Sequence, residues 1–212
     1  ANSRCSAPCS LGFQHRAQFK GVFDVVIRPI GHEAALALAA TDEQIAEYAR
    51  ATAEEIDVAV AAANAAQRVW WAMSALDRAA ALHEVAAKLL ELSPETGECL
   101  TREMGKPYRE SNWEGGASAS AFRYYAELAR HDQGRIAGPA IVGQMHMTLK
   151  EPLGVIVSIV PFNFPVLLFG WQAAGALAAG NAIIVKPSEL TSLTLLSVMR
   201  AFEHLPAGRS EE

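Results

Sequence analysis

Two short stretches hold the side chains best suited to chemistry. The first is Pro161-Phe162-Asn163-Phe164-Pro165, which follows the apolar run Gly154–Val160. Pro161 cannot donate to a strand ladder and so ends a strand; Pro165 suits the first position of a helix, where a missing N–H costs nothing. Asn163 is held between them. Two readings of it are open: an amide that donates to an oxygen gaining negative charge, or the plain N-cap that asparagine favours at a helix start. The second stretch is Lys186-Pro187-Ser188-Glu189, at the end of the run Ala182–Lys186. An acid there can accept from ribose hydroxyls, with the lysine as a cationic donor. The alternative is a solvated Lys–Glu pair ahead of the next helix. No Gly-x-Gly-x-x-Gly loop accompanies either stretch, which weakens an ordinary dinucleotide assignment.

Both apolar runs are short, β-branched and without alternation, as in strands buried on both faces of a parallel sheet. Val166 to Ala179 reads as a helix between them, ended by Gly180-Asn181. Thr191 or Ser192 then caps a last helix to about His204. Such a βαβ unit crosses over right-handed and binds ligands outside the carboxyl ends of its strands.

Upstream, alanine-rich runs favour helix, and four helices are expected from Thr52 to about His131. The first starts at Ala53 and carries Ile56, Val60 and Ala63 on one face. The second is capped by Ser74, with Leu82, Val85, Leu89 and Leu92 as its stripe. The third is capped by Ser93, has Pro94 at its first position and stops at Gly105. The fourth starts near Pro107, with Ala117, Ala121, Tyr124 and Leu128 at helical spacing. Trp70, Trp71, Trp113 and Tyr125 read as packing aromatics. Thr41 with Gln44, and Thr52 with Glu55, both match a capping box, which predicts a short helix ahead of the long one. Phe23–Ile27 reads as a strand, Arg28–Gly31 as a turn, and Ile141–Lys150 as an antiparallel strand.

Composition excludes several classes. With 51% hydrophobic and 19% charged residues in 212, the chain is no disordered segment. A net charge of −5 without any basic block argues against a nucleic-acid surface. Pro152 to Val185 carries no charge, yet Pro161, Asn163 and Pro165 would break a spanning helix, so no membrane insertion is expected. The amino terminus shows no signal-peptide pattern. Cys5, Cys9 and Cys99 are too few and scattered for a disulfide framework or a metal site. A reducing, cytoplasmic setting is the expectation.

Residues 151–196 resemble the middle of the NAD(P)-dependent aldehyde dehydrogenase superfamily. The likeness rests on Glu151-Pro152-Leu153-Gly154-Val155, PFNFP at 161–165, Ala176-Leu177-Ala178-Ala179-Gly180-Asn181 and KPSE at 186–189, in that order and spacing. Thr52–Ala66 and Glu103-Met104-Gly105-Lys106-Pro107 share it, so it covers roughly 52 to 208. The resemblance implies that Asn163 is an oxyanion-hole amide. It implies that Ile159, Val160, Pro161 and Phe162 line the cofactor, NAD or NADP, and that Lys186 and Glu189 hold the adenosine ribose with Ser188 beside them. It implies oxidation of an aldehyde to a carboxylic acid through a cysteine thioester, and a homo-oligomeric parent in which the 141–150 stretch pairs between subunits. PFNFP and EMGKP resemble semialdehyde and aromatic-aldehyde branches.

There are departures. The family's nucleophilic cysteine, general-base glutamate and pyrophosphate-turn glycine fall downstream of KPSE and have no counterpart in these 212 residues; Cys5, Cys9 and Cys99 match no nucleophile motif. Gln172 stands where many relatives carry lysine, Arg28 replaces an asparagine, and about ten extra residues separate Gly31 from Thr52. The expected division is an irregular segment 1–51, a helical part 52–133, a bridging, oligomerisation-type strand region 134–152, and the first βαβ part of a Rossmann-like parallel sheet at 153–212, an incomplete α/β domain without its catalytic domain. Two functional readings remain: the amino-terminal part of an aldehyde dehydrogenase, inactive alone, or a non-catalytic fragment that binds nucleotide weakly or associates with a longer relative.

Overall fold

A computed structural model describes residues 35–38, 44–48, 51–131, 134–138 and 141–205. The expected strand Phe23–Ile27 and turn Arg28–Gly31 lie outside these residues. In chain order the described elements are β1 (Ala35–Leu38), β2 (Gln44–Tyr48), α1 (Ala53–Ala72), α2 (Ala75–Met104), α3 (Tyr108–His131), β3 (Arg135–Ala137), β4 (His146–Thr148), β5 (Val155–Ile159), α4 (Pro165–Ala178), β6 (Ala182–Lys186) and α5 (Ser192–Met199). Single 3-10 turns, Glu189–Thr191 and Arg200–Phe202, flank α5.

The second capping box is real: the Thr52 side chain accepts from Glu55 N while the Glu55 carboxylate accepts from Thr52 N. The helix expected after Thr41 does not form. Gln44–Tyr48 pairs antiparallel with Ala35–Leu38 inside the segment expected to be irregular. Ile45 and Ala46 pack toward Cys99 and Leu193. A cap without length to propagate cannot repay helix nucleation, and strand pairing wins.

Three long helices, not four, fill 53–131. α2 runs straight through Pro94. Ser93 caps nothing; its hydroxyl donates to Asn112 O on α3 at 2.6 Å. Packing of the second half of α2 against α3, through Gly97 on the Asn112 backbone and Gly115 on Ser93, outweighs the hydrogen bond that an interior proline forfeits. The expected α2 stripe is correct at Leu82, Val85 and Leu89, which are buried. The buried face of α1 is Ala59, Ala63, Ala66 and Trp70, so Val60 lies outside it. On α3 it is Ser111, Glu114, Gly115, Ser118, Ala119, Phe122 and Ala126. Tyr124 and Leu128 are exposed, because small residues let α2 and α4 approach a neighbouring face more closely. Of the four aromatics, Trp70 is fully buried and Tyr125 partly, while Trp71 and Trp113 are exposed.

β5 and β6 form a parallel pair with α4 as the crossover, Val155 opposite Ala182 and Ile159 opposite Lys186. β6 is apolar and buried on both faces, as expected. β5 is not: Val157 and Ile159 are exposed, while Ser158 is buried. A main core of residues from α1 to α5, β6 and the Arg200–Phe202 turn, including Phe122, Phe169 and Phe202, lies behind this sheet. β3 and β4 form an exposed antiparallel hairpin; the sequence showed its second strand, in the 141–150 stretch, and missed Arg135–Ala137.

Candidate active site

The carboxyl ends of β5 and β6 stand side by side. Val160 N donates to Lys186 O at 3.0 Å, which ties the start of the Asn163 loop to the start of the Lys186–Glu189 loop. Both candidate stretches thus belong to one edge, at the carboxyl ends of the strands, where open parallel sheets bind ligands. Ile159, Phe162 and Leu190 give that edge an exposed apolar border, and Pro161 is exposed beside them. Val160 differs: its side chain is buried in the main core, so only its backbone can meet a ligand.

Asn163 is not the N-cap of α4. Phe164 occupies that position and makes no side-chain cap bond. The first-turn donors go instead to a carboxylate from α3: Glu114 Oε2 accepts from Val166 N at 3.0 Å and from Leu167 N at 3.2 Å. Pro165 has no N–H, and Leu168 N donates to Phe164 O at 2.9 Å. Every donor of the first turn is therefore used, and capping makes no demand on the Asn163 amide. Asn163 is exposed, and its carbonyl accepts from Lys106 Nζ at 2.8 Å.

At the β6 end, Lys186 Nζ lies 3.3 Å from Glu189 Oε1, both partly open to solvent. Ser188 caps the 3-10 turn through Leu190 N at 3.3 Å and accepts from the Ser192 hydroxyl through its carbonyl. Thr191 occupies the N-cap position of α5, as one of the two expected residues, but makes no side-chain cap bond; Glu103 on α2 takes the amides instead, accepting from Leu193 N at 2.9 Å and Thr194 N at 2.8 Å. Burial pushes the Glu103 carboxyl above its ordinary value, against the hydrogen bonds from Thr194 and Leu193. Gln172, where lysine was expected, accepts from the buried Ser158 hydroxyl and so satisfies a polar group inside β5.

Sequence reasoning missed Lys106, Glu114 and Glu103. Only Lys106 and Glu103 had a signal, as members of EMGKP, and that signal assigned them no role. Among the described residues no His, Cys, Asp and Glu cluster could hold a metal, and no helix is long and apolar enough to cross a membrane. A cleft of about 300 Å³ bounded by Trp71, Arg78, Tyr125 and Gly175 includes none of the strand-end residues.

Comparison with known proteins agrees with this architecture. The aldehyde dehydrogenase family model matches residues 32–209. The chain is 40% identical over 168 residues to the peroxisomal aminoaldehyde dehydrogenase 2 of Pisum sativum, covering 75% of this chain and 33% of that one. Among solved structures it resembles a NAD-dependent benzaldehyde dehydrogenase from Corynebacterium glutamicum (TM-score 0.80, 30% identity, 86% of this chain and 40% of that one). An NADP-dependent enzyme from E. coli is similar (TM-score 0.80, 28% identity, 85% and 38%). The chain spans about a third of the length of the curated relatives it matches. With its helical layer, its parallel β5–β6 pair and a family match over most of its length, the chain belongs to the aldehyde dehydrogenase family.

Proposed function

We propose that this chain supplies the oxyanion amide and the adenosine-ribose edge of an NAD(P)-dependent aldehyde dehydrogenase that oxidises an aldehyde to a carboxylic acid. The observation that carries the reading is the Asn163 amide, exposed at the sheet edge and relieved of capping by Glu114. Asn163 Nδ2 would donate to the substrate oxygen as it gains charge, an interaction stronger in the transition state than in the ground state. Lys186 and Glu189 offer one donor and one acceptor to a ribose diol, while Ile159 and Phe162 cover an apolar ring face. When bound, NAD(P)+ supplies the hydride acceptor.

The covalent step needs a thiolate. Cys99 is buried within α2 beside Glu103 and Leu193, so we assign the nucleophile to no described residue and expect no turnover from these 212 residues alone. The remaining parts of the proposal are a homo-oligomeric, cytoplasmic parent and a simple aldehyde substrate.

The test is Asn163→Ala in a form of the protein that turns over aldehyde, followed at 340 nm. Loss of one oxyanion donor costs about 10²–10³ in kcat, with NAD+ affinity kept. A variant with undiminished kcat would reduce Asn163 to a loop residue. NADH formation by the 212-residue chain itself, abolished by thiol alkylation, would refute the assignment of the nucleophile.

A further inference from the structure

Lys106 and Glu114 form an ion pair of 2.6 Å in which both side chains are buried, and the Lys106 ammonium and Glu114 Oε2 make further contacts besides the pairing. Lys106 Nζ has three donors. One meets Glu114 Oε1, one meets Asn163 O at 2.8 Å, and the ammonium sits 3.3 Å from the centre of the Phe164 ring. Glu114 Oε2 takes the amide protons of Val166 and Leu167. The pair thus grips three points in succession, Asn163 by its carbonyl, Phe164 by its ring and the first turn of α4 by its amides. Lys106 follows the left-handed Gly105 that ends α2, and Glu114 lies on the second turn of α3, so the grip is anchored on two helices that pack along their lengths.

We propose that Lys106 and Glu114 are positioning residues: a buried clamp that fixes the backbone of the Asn163 loop so that the Asn163 amide points at the sheet edge. The proposal rests on the oxyanion reading of Asn163 for its catalytic consequence, but the clamp itself does not need that reading. A buried ion pair is weak evidence for stability, since desolvation offsets much of the Coulomb gain. Its value here is geometric: an amide donor displaced by about 1 Å loses most of its effect on a developing charge.

The experiment uses Lys106→Met, which keeps length and apolar bulk but removes every donor. Glu114→Gln keeps an acceptor for the α4 amides and removes the charge. Glu103→Gln serves as a control that perturbs the α5 cap without touching the loop. In the 212-residue chain, hydrogen exchange at Val166 and Leu167 should rise about tenfold or more in Lys106→Met and by less in Glu114→Gln, which keeps the acceptor, while Leu82–Leu89 in α2 stays near wild type. Glu103→Gln should leave the loop protected even if it lowers the melting temperature equally. No local rise, or a rise spread evenly over the chain, overturns the clamp. In a form that turns over aldehyde, Lys106→Met should lower kcat about tenfold or more with the aldehyde KM nearly unchanged. An unchanged kcat in Lys106→Met, where Asn163→Ala is crippled, overturns the positioning role. If Asn163→Ala is itself silent, the oxyanion reading fails, and the exchange result alone decides the clamp.

Discussion

Glu103 and Thr194 meet across 91 positions of chain: the Glu103 carboxylate accepts from Thr194 N at 2.8 Å and from the Thr194 hydroxyl at 2.6 Å. This contact fastens α5, and with it the loop bearing Lys186 and Glu189, to the middle helix of the molecule. Its cost is a buried carboxyl whose pKa lies above the ordinary 4.5, chiefly through desolvation of the charged form. The folded chain holds that proton more tightly than the unfolded chain. The stability due to this group is therefore complete below 4.5 and is lost as pH rises through the raised value.

Glu103→Gln removes that titration. From pH 4.5 upward, the stability of wild type minus that of Glu103→Gln should fall as pH rises. Denaturant midpoints at constant ionic strength measure it. A difference that grows with pH would contradict the raised pKa.

Gly97 permits a close backbone contact between α2 and α3. A Cβ there would lie 2.7 Å from Asn112 Cα and 2.8 Å from Asn112 N, both backbone atoms. Alanine gains about 1 kcal/mol of helix propensity over glycine, whereas overpacking costs about 1–3 kcal/mol. The second should win, so Gly97→Ala is expected to lower the melting temperature. A rise would mean that the helices separate without loss.

The coenzyme edge carries its own prediction. Glu189 would accept from a 2′-hydroxyl but repel a 2′-phosphate, with Lys186 3.3 Å away offsetting part of the repulsion. Exposed unit charges about 4 Å apart interact by only about 1 kcal/mol, so NAD+ should bind better than NADP+ by about tenfold or less. Glu189→Gln should narrow the gap. Calorimetric titration with both coenzymes checks it, and tighter NADP+ binding by wild type would refute it.

A last prediction concerns association. The β3–β4 hairpin leaves Ile136, Met147 and Leu149 exposed, and Val142 of the connecting turn is 99% accessible. A two-stranded hairpin without a covered face is marginal in water, and such surface favours pairing with a second copy. Light scattering after size exclusion should give a mass above 22.7 kDa, and Ile136→Lys should lower it. A wild-type monomer would refute it.

The legible parts of the fold are those fixed by neighbours in sequence. The Thr52 capping box, the two prolines around Asn163 and the β-branched run Ala182–Lys186 each carry their cause within a few residues, and the structure places them as read. Ser93–Pro94 carried an equally clear local signal for a helix start, yet α2 continues, because Asn112 on another helix takes the Ser93 hydroxyl. The same holds for the caps of α4 and α5. Their acceptors lie 52 and 90 positions away along the chain, on Glu114 and Glu103, and no local pattern announces them. Asn163 was ambiguous in sequence for this reason: without sight of Glu114, an asparagine before Pro165 is indistinguishable from a cap.

The two glutamate caps carry a consequence for how a dinucleotide can lie. In most open α/β sheets the helix after a strand offers bare amides and a positive dipole end to a pyrophosphate. Here the amides at the start of α4 and α5 already hold carboxylates delivered from the helical layer behind. A phosphate approaching either helix would find those amides already taken where other folds present a cradle. A dinucleotide held at this edge would have to find its phosphate contacts away from both helix starts.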